Sequence, residues 1–114
     1  LLLISPATMR ENFPTEIAIG NRELTFGSEM KKVNVFLDSP LISPLHARIE
    51  SDERQQFKVF DTGSGSGTWL NYAPVSHYGA RLDHGDVIQF GKVAYRFEIH
   101  GAQPKKIKVE SLSD

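Results

Sequence analysis

Two short stretches carry the side chains that could do chemistry in this 114-residue chain. Ser43-Pro-Leu-His46 puts a hydroxyl and an imidazole three residues apart in one polar turn. Asp61-Thr-Gly-Ser-Gly-Ser-Gly-Thr-Trp-Leu-Asn71 is a glycine–serine loop that runs into a strand. A serine beside a histidine is the beginning of a nucleophile and its base, but no third group is placed by sequence to orient the imidazole, which disfavours hydrolysis. The Gly63 to Gly67 run invites comparison with phosphate-cradling loops. It lacks the lysine of a Walker sequence and the spacing of a nucleophile elbow, so it reads as a flexible loop at the edge of a binding surface. The histidines at 46, 77, 84 and 100 show no i, i+2 or i, i+4 spacing, so neither a metal nor a cofactor is expected. Binding, not catalysis, is the chemistry these residues favour, and no catalytic residue is assigned.

Composition narrows the class of ligand. The chain has no cysteine, which excludes disulfides, zinc ribbons and thiol chemistry and makes an intracellular setting, cytoplasmic or nuclear, the expectation. Thirteen basic and fourteen acidic residues leave a net charge of −1, far from the strongly basic balance of a phosphate-neutralising nucleic-acid binder. The apolar opening Leu1-Leu-Leu-Ile4 is too short to span a bilayer and lacks the flanks of a signal peptide. No nucleic-acid or membrane partner is expected. The chain does not begin with methionine, and the expectation is a piece of a longer multidomain protein.

The elements that must position the two stretches are short strands. Nowhere does an i, i+3, i+4, i+7 apolar pattern persist over three turns; short alternating runs between Gly, Pro, Asn, Asp and Ser clusters recur instead. Strands are predicted at 1–4, 17–19, 23–26, 33–37, 46–49, 57–60, 68–70, 80–82, 87–90 and 93–99, with hairpin turns at Gly20-Asn21 and Gly91-Lys92 and a tight turn at 83–86. Alternation in 46–49 predicts Ala47 and Ile49 inward with His46 and Arg48 outward. Trp69 is expected in the core, and Arg48 and Arg81 on solvated faces. Nine to eleven short strands on a chain this long must pack as a sandwich or barrel. One all-β domain is expected over residues 1–100, followed by a tail or linker over 101–114.

In order and spacing the chain resembles a forkhead-associated (FHA) domain over roughly residues 16–99. The resemblance rests on Gly27-Ser28, Ser43-Pro-Leu-His46, Ser66-Gly67-Thr68 and Leu82-Asp-His-Gly-Asp-Val-Ile88, with Asn71 at the first position of the family's Asn-Gly turn. It implies an all-β, FHA/SMAD-like two-sheet β-sandwich of about 10–11 short strands whose ligand site lies on loops at one end, and a partner that is a protein or a phosphothreonine-containing peptide in signalling. It also implies structural roles for Gly27, His46, Gly67, Thr68 and Asn71.

The family's phosphate contacts are only partly present. Ser43 matches the hydroxyl donor, but Ser28 stands in the arginine slot, Pro44 has no N–H to give, and Gly65-Ser66 replace the Thr-Asn pair. A phosphothreonine brings about −1.5 to −2 charges and three acceptor oxygens, which a planar guanidinium fork matches well. With a charge-assisted hydrogen bond at about 1.5–3 kcal/mol, losing a two-pronged arginine weakens phosphopeptide binding by roughly two to four decades. Lys31 and Lys32, three and four residues after Ser28, are candidate substitutes, though as hydrated point charges. The leading expectation is therefore a non-enzymatic interaction module with a degraded phosphothreonine pocket, phospho-independent or weakly phospho-dependent. The alternative is a phosphothreonine reader that shares the phosphate among Ser43, Ser66, Lys31 and Lys32. A carbohydrate or small-ligand sandwich using Trp69, Tyr72 and Tyr78 is a third class that no spacing favours.

Overall fold

The computed structural model describes residues 1–4, 13–20, 23–54 and 56–99. Ten strands run in chain order: β1 (Leu2–Leu3), β2 (Leu24–Gly27), β3 (Val35–Phe36), β4 (Ala47–Ser51), β5 (Phe57–Asp61), β6 (Thr68–Leu70), β7 (Ala73–Pro74), β8 (Ala80–Leu82), β9 (Val87–Phe90) and β10 (Val93–Arg96). They form two five-stranded sheets, β1-β10-β9-β6-β7 and β3-β2-β4-β5-β8. The fold is an all-β sandwich, one of the two forms the strand pattern allows and the one the family resemblance implies.

Register follows burial. Leu24 pairs with Ile49, which pairs with Val59, and all three are buried on one face. Ile88 and Phe90 of β9 do the same opposite Tyr95 and Val93 of β10. A one-residue slip would turn these apolar sets to solvent, so the pattern itself specifies the pairing. The sheets meet through Phe26 and Phe90, whose rings stack at 4.6 Å with an interplanar angle of 19°. Tyr95 packs beside Phe90 and its hydroxyl donates to the Pro14 carbonyl at 2.8 Å, tying the 13–18 segment to the core.

Several expectations are corrected. Residues 17–19 form no strand; Glu16 instead makes a single bridge to Leu2. The predicted Gly20-Asn21 turn includes Asn21, which lies outside the described residues, as do His100 and the 101–114 tail. A strand at Ala73–Pro74 was not anticipated, because proline demotes a strand reading; β7 lies at the sheet edge, where a missing N–H is tolerated. β3 runs parallel to β2, a pairing that needs the 28–34 crossover and leaves no local signature. Trp69 is half-buried rather than in the core. His46 does not face outward with Arg48: its side chain is 0% exposed.

The β6–β7 connection carries a removable strain. Leu70 pairs with Ala73, and the two intervening residues, Asn71 and Tyr72, have φ of 48° and 70°. Such a type I′ turn suits Asn-Gly, and Asn71 serves it well. Its amide group accepts from the Val87 N–H at 2.9 Å and donates to Asp86 at 3.0 Å, locking this turn to the 83–86 turn. Tyr72 gains nothing comparable and is 78% exposed. A side chain in the left-handed region costs about 1–2 kcal/mol, against which glycine adds about 0.5–1 kcal/mol of unfolded-chain entropy. Tyr72→Gly is expected to raise stability by about 0.5–1 kcal/mol, measurable as a higher urea midpoint at unchanged m-value; a lower midpoint would refute the strain.

Candidate functional site

Strand directions bring one set of loops to one end of the sandwich. β2 ends there at Gly27, β4 begins at Ala47, β5 ends at Asp61, β6 begins at Thr68, and β9 turns into β10 through Gly91-Lys92. The loops are then bonded to one another. The N–H groups of Ser28 and Glu29 donate to the carbonyls of Ser43 and Pro44 at 3.0 and 3.3 Å. Gly65 N–H donates to the Ser43 hydroxyl at 3.0 Å, and Gly91 N–H to the Gly67 carbonyl at 3.0 Å.

Gly27 is required by approach distance. A Cβ placed on it would sit 2.0 Å from the Pro44 carbonyl oxygen and 2.7 Å from its carbon. The 27–29 and 43–45 segments thus touch backbone to backbone. Only glycine fits between them.

His46 joins two loops from inside. Its Nδ1 lies 3.1 Å from the Ser43 N–H and its Nε2 lies 2.8 Å from the Gly67 carbonyl. The first partner is a donor and the second an acceptor, which selects the neutral tautomer with the proton on Nε2. The ring also meets Phe90 edge-on at 6.2 Å. His46 makes both contacts from a buried position immediately before β4.

Asp61 organises the glycine–serine loop, a role that sequence reading did not assign. Its carboxylate accepts from the N–H groups of Gly63 and Ser64 at 3.0 Å each and from the hydroxyls of Ser64 and Thr68 at 2.5 and 2.7 Å. The signal was an Asp followed two residues later by Gly, an Asx-turn opening. Burial acts to raise the Asp61 pKa, but those hydroxyls and amides outweigh it and hold the carboxyl below the usual aspartate range. A carboxyl that is more acidic when folded stabilises fully above the unfolded value of about 3.9, and that contribution fades as pH falls through the lower folded value. Asp61→Ala is expected to cost about 2–3 kcal/mol at neutral pH, with the gap to wild type narrowing below about pH 4. Denaturant titrations at the two pH values check this; a gap independent of pH would exclude the carboxylate as its source.

The hydroxyls at this end are mostly committed internally. Ser28 donates to the Ile42 carbonyl at 2.7 Å, Thr62 to Leu45 at 2.7 Å, and Ser66 to Leu41. Ser64 and Thr68 donate to Asp61. The Ser43 hydroxyl differs: it accepts from Gly65, and its own proton meets no acceptor among the described residues. Pro44 and Gly65 are exposed, as are Lys31 and Lys32, whose ammonium groups make no ion pair among the described residues.

Arg48 and Arg81 are engaged away from the Ser28 turn. Arg48 lies on the outer face of β4, 2.7 Å from Glu50 and 3.5 Å from Glu23, with its guanidinium 4.2 Å above the Phe60 ring. Arg81 faces Asp83 at 3.8 Å on β8. Among the described residues there is no cluster of three or more His, Asp or Glu side chains that could hold a metal. No helix among them is long and apolar enough to cross a membrane.

The FHA domain model matches residues 24–91, which include every strand from β2 to β9. The chain belongs to the FHA domain family. This FHA domain is 41% identical over 59 residues to the glycogen accumulation regulator GarA of Mycobacterium tuberculosis, a match covering 52% of this chain and 35% of GarA. The chain thus spans about a third of the length of the curated relatives it matches. Among solved FHA domains, one from a study of phosphothreonine-dependent FHA interactions superposes with a TM-score of 0.71 at 22% identity, covering 89% of this chain and 95% of that one. The MEK1 FHA domain in complex with a HOP1 phosphothreonine peptide gives a TM-score of 0.63 at 27% identity, over 72% of this chain and 84% of that one.

The aromatic residues of the small-ligand reading do not converge. Tyr72 belongs to the β6–β7 turn at the far end, linked through Asn71 to Asp86, whereas Tyr78 lies in the 75–79 turn beside Asp61, whose N–H donates to the Ser76 carbonyl. A groove of about 650 Å³ lies elsewhere, lined by residues that include Phe13, Pro14, Ile17, Asn34, Val35 and Phe36. None of Trp69, Tyr72 and Tyr78 lines it.

Proposed function

We propose that this FHA domain is a non-enzymatic module that holds a protein segment or peptide across residues 28–32, 41–46 and 62–67, with weak or no dependence on phosphorylation. The observation carrying this reading is the hydroxyl inventory. Of the six hydroxyls on Ser28, Ser43, Thr62, Ser64, Ser66 and Thr68, five donate to protein acceptors and only that of Ser43 keeps a proton for a ligand. A dianionic phosphate needs several converging donors and a fixed cation. One hydroxyl, loop amides and exposed lysines offer it much less than a guanidinium fork would. The cysteine-free composition fits an intracellular setting.

The test is binding of matched degenerate peptide libraries, with and without phosphate on threonine, followed by calorimetry on selected members. The expected outcome is less than about a tenfold preference for the phosphorylated form, equivalent to about 1.4 kcal/mol. Tight binding that disappears on dephosphorylation would overturn the reading.

A second reading keeps phosphothreonine recognition through Ser43, Ser66, Lys31 and Lys32. It is favoured by the open proton of Ser43 and by likeness to the MEK1 domain solved with a phosphothreonine peptide. Ser66 can contribute only its backbone N–H or a lone pair, because its hydroxyl proton is directed at Leu41. This reading requires steep salt dependence and a loss of about tenfold or more in Ser43→Ala. Salt-insensitive binding would count against it.

A further inference from the structure

One lateral edge of the sandwich is left open. The 13–18 segment forms the outermost backbone of the β1 sheet, because Leu2 pairs with Arg96 on one side and bridges Glu16 on the other. The Leu3 N–H donates to the Thr15 carbonyl at 2.9 Å and the Ile17 N–H to the Leu1 carbonyl at 2.8 Å. With residues 15 and 17 turned toward β1, antiparallel alternation points the Glu16 N–H and carbonyl away from the sheet. Neither finds a partner among the described residues. The second sheet ends close by at β3, and the groove of about 650 Å³ runs between the two edges. Phe13, Ile17, Val35 and Phe36 are its apolar walls, and Glu16 is the charged residue among those lining it.

An unpaired edge beside an apolar groove is completed by an extended segment with alternating side chains. This chain carries one after its last strand. Lys106-Ile107-Lys108-Val109-Glu110 alternates charged and apolar residues, and Gly101 and Pro104 ahead of it suit a reversal of direction. The start of that tail is well placed. Phe97 and Ile99 are bonded to the 83–86 turn at the end of the sandwich opposite the loop face. Glu16 is level with Arg96, three residues before Ile99. A strand laid beside Glu16 therefore lies three strand spacings from β10, about 14 Å across and about 10 Å back along the sheet. Residues 100–107 span up to about 26 Å when extended, which covers that path. Charge agrees as well, since Lys106 and Lys108 meet the single carboxylate of the groove.

We propose that residues 106–110 of the chain's own tail dock in this groove as an added strand, antiparallel to the 13–18 segment, with Lys108 opposite Glu16 and Ile107 opposite Ile17. That register sends Ile107 and Val109 to the face on which Phe13 and Ile17 are buried, and keeps Lys106 and Lys108 on the exposed face with Glu16. The Glu16 N–H and carbonyl then exchange bonds with Lys108, and opposite charges stand across from each other. A slip of one residue would turn the lysines into the groove. A slip of two would set either Lys105 opposite Ile17 or Glu110 opposite Glu16. The docked tail runs back along the sandwich toward the loop face.

Two measurements on the 114-residue chain test this. Hydrogen exchange at the Glu16 and Lys108 amides is compared between wild type and the double variant Ile107→Asp/Val109→Asp. The variant is expected to lose protection at both amides by about tenfold or more, equivalent to about 1.4 kcal/mol. Both substitutions lie outside the two sheets, so protection in β4 and β9 should stay at the wild-type level and verify that the sandwich is folded. Because the chain has no cysteine, the pair Glu16→Cys/Lys108→Cys reports the register directly. It should close an intrachain disulfide about tenfold faster than the control pair Glu16→Cys/Ser113→Cys, whose loop is of nearly the same length. Unchanged protection at Glu16 in the Asp variant, or equal closure rates for the two cysteine pairs, overturns the docking. A disulfide formed between two chains, with protection that grows with protein concentration, overturns the intramolecular strand and assigns the groove to the tail of a second copy.

Discussion

Gly27→Ala is expected to destabilise the domain by about 3 kcal/mol or more and to disable its loop face. The methyl group would sit 2.0 Å from the Pro44 carbonyl oxygen and 2.9 Å from a Val33 methyl, at a position that is itself buried. A side-chain clash can be relieved by a rotamer change, but the Pro44 atoms are backbone, so β2 and the 43–45 segment must separate. Separation stretches the bonds from Ser28 and Glu29 to the Ser43 and Pro44 carbonyls. It also moves the Ser43 hydroxyl away from Gly65. Urea unfolding and peptide titration should therefore fail together. A variant less than about 1 kcal/mol below wild type would mean that the two segments do not touch as described.

His46→Ala is expected to cost about 3–5 kcal/mol, combining a cavity against Phe90 with two abandoned hydrogen-bond partners. The cost has a specific signature. His46→Asn keeps a polar atom near the Nδ1 position and should preserve the Ser43 turn, while His46→Gln reaches toward the Gly67 carbonyl and should preserve that contact. Both should be more stable than His46→Ala. If all three variants were equally unstable, the imidazole would be acting through volume alone. Loss of peptide binding in His46→Gln with retention in His46→Asn would assign the ligand face chiefly to the Ser43 turn.

How much was legible depends on the range of the interaction. The alternation in 24–26, 47–49 and 87–90 reports burial directly, so strand identity and inward residues could be read from short windows. The alternation rule failed at His46 because that residue precedes β4 and its ring is taken inward by two loop partners, one of them 21 residues away. β7 was missed because a two-residue edge strand containing proline carries almost no pattern. Asp61 was visible as part of a turn, but its four donors could be counted only once Thr68 was folded back onto it.

For the site, the amino-acid order alone supplies the residue types on the loops: Ser28 after Gly27, Pro44 after Ser43, and Gly65-Ser66 ahead of Gly67. Those are matters of residue type, and folding cannot change them. Which hydroxyl still has a proton to offer was decided only by tertiary structure, because Ser28 and Ser66 find their acceptors 14 and 25 residues away. The placement of the Gly91-Lys92 hairpin was decided in the same way. It meets the Ser66 loop through sheet pairing and the close approach of Gly91, and neither is encoded within the few residues around it. Short-range chemistry set the inventory of groups, and long-range packing determined which of them remain available to a ligand.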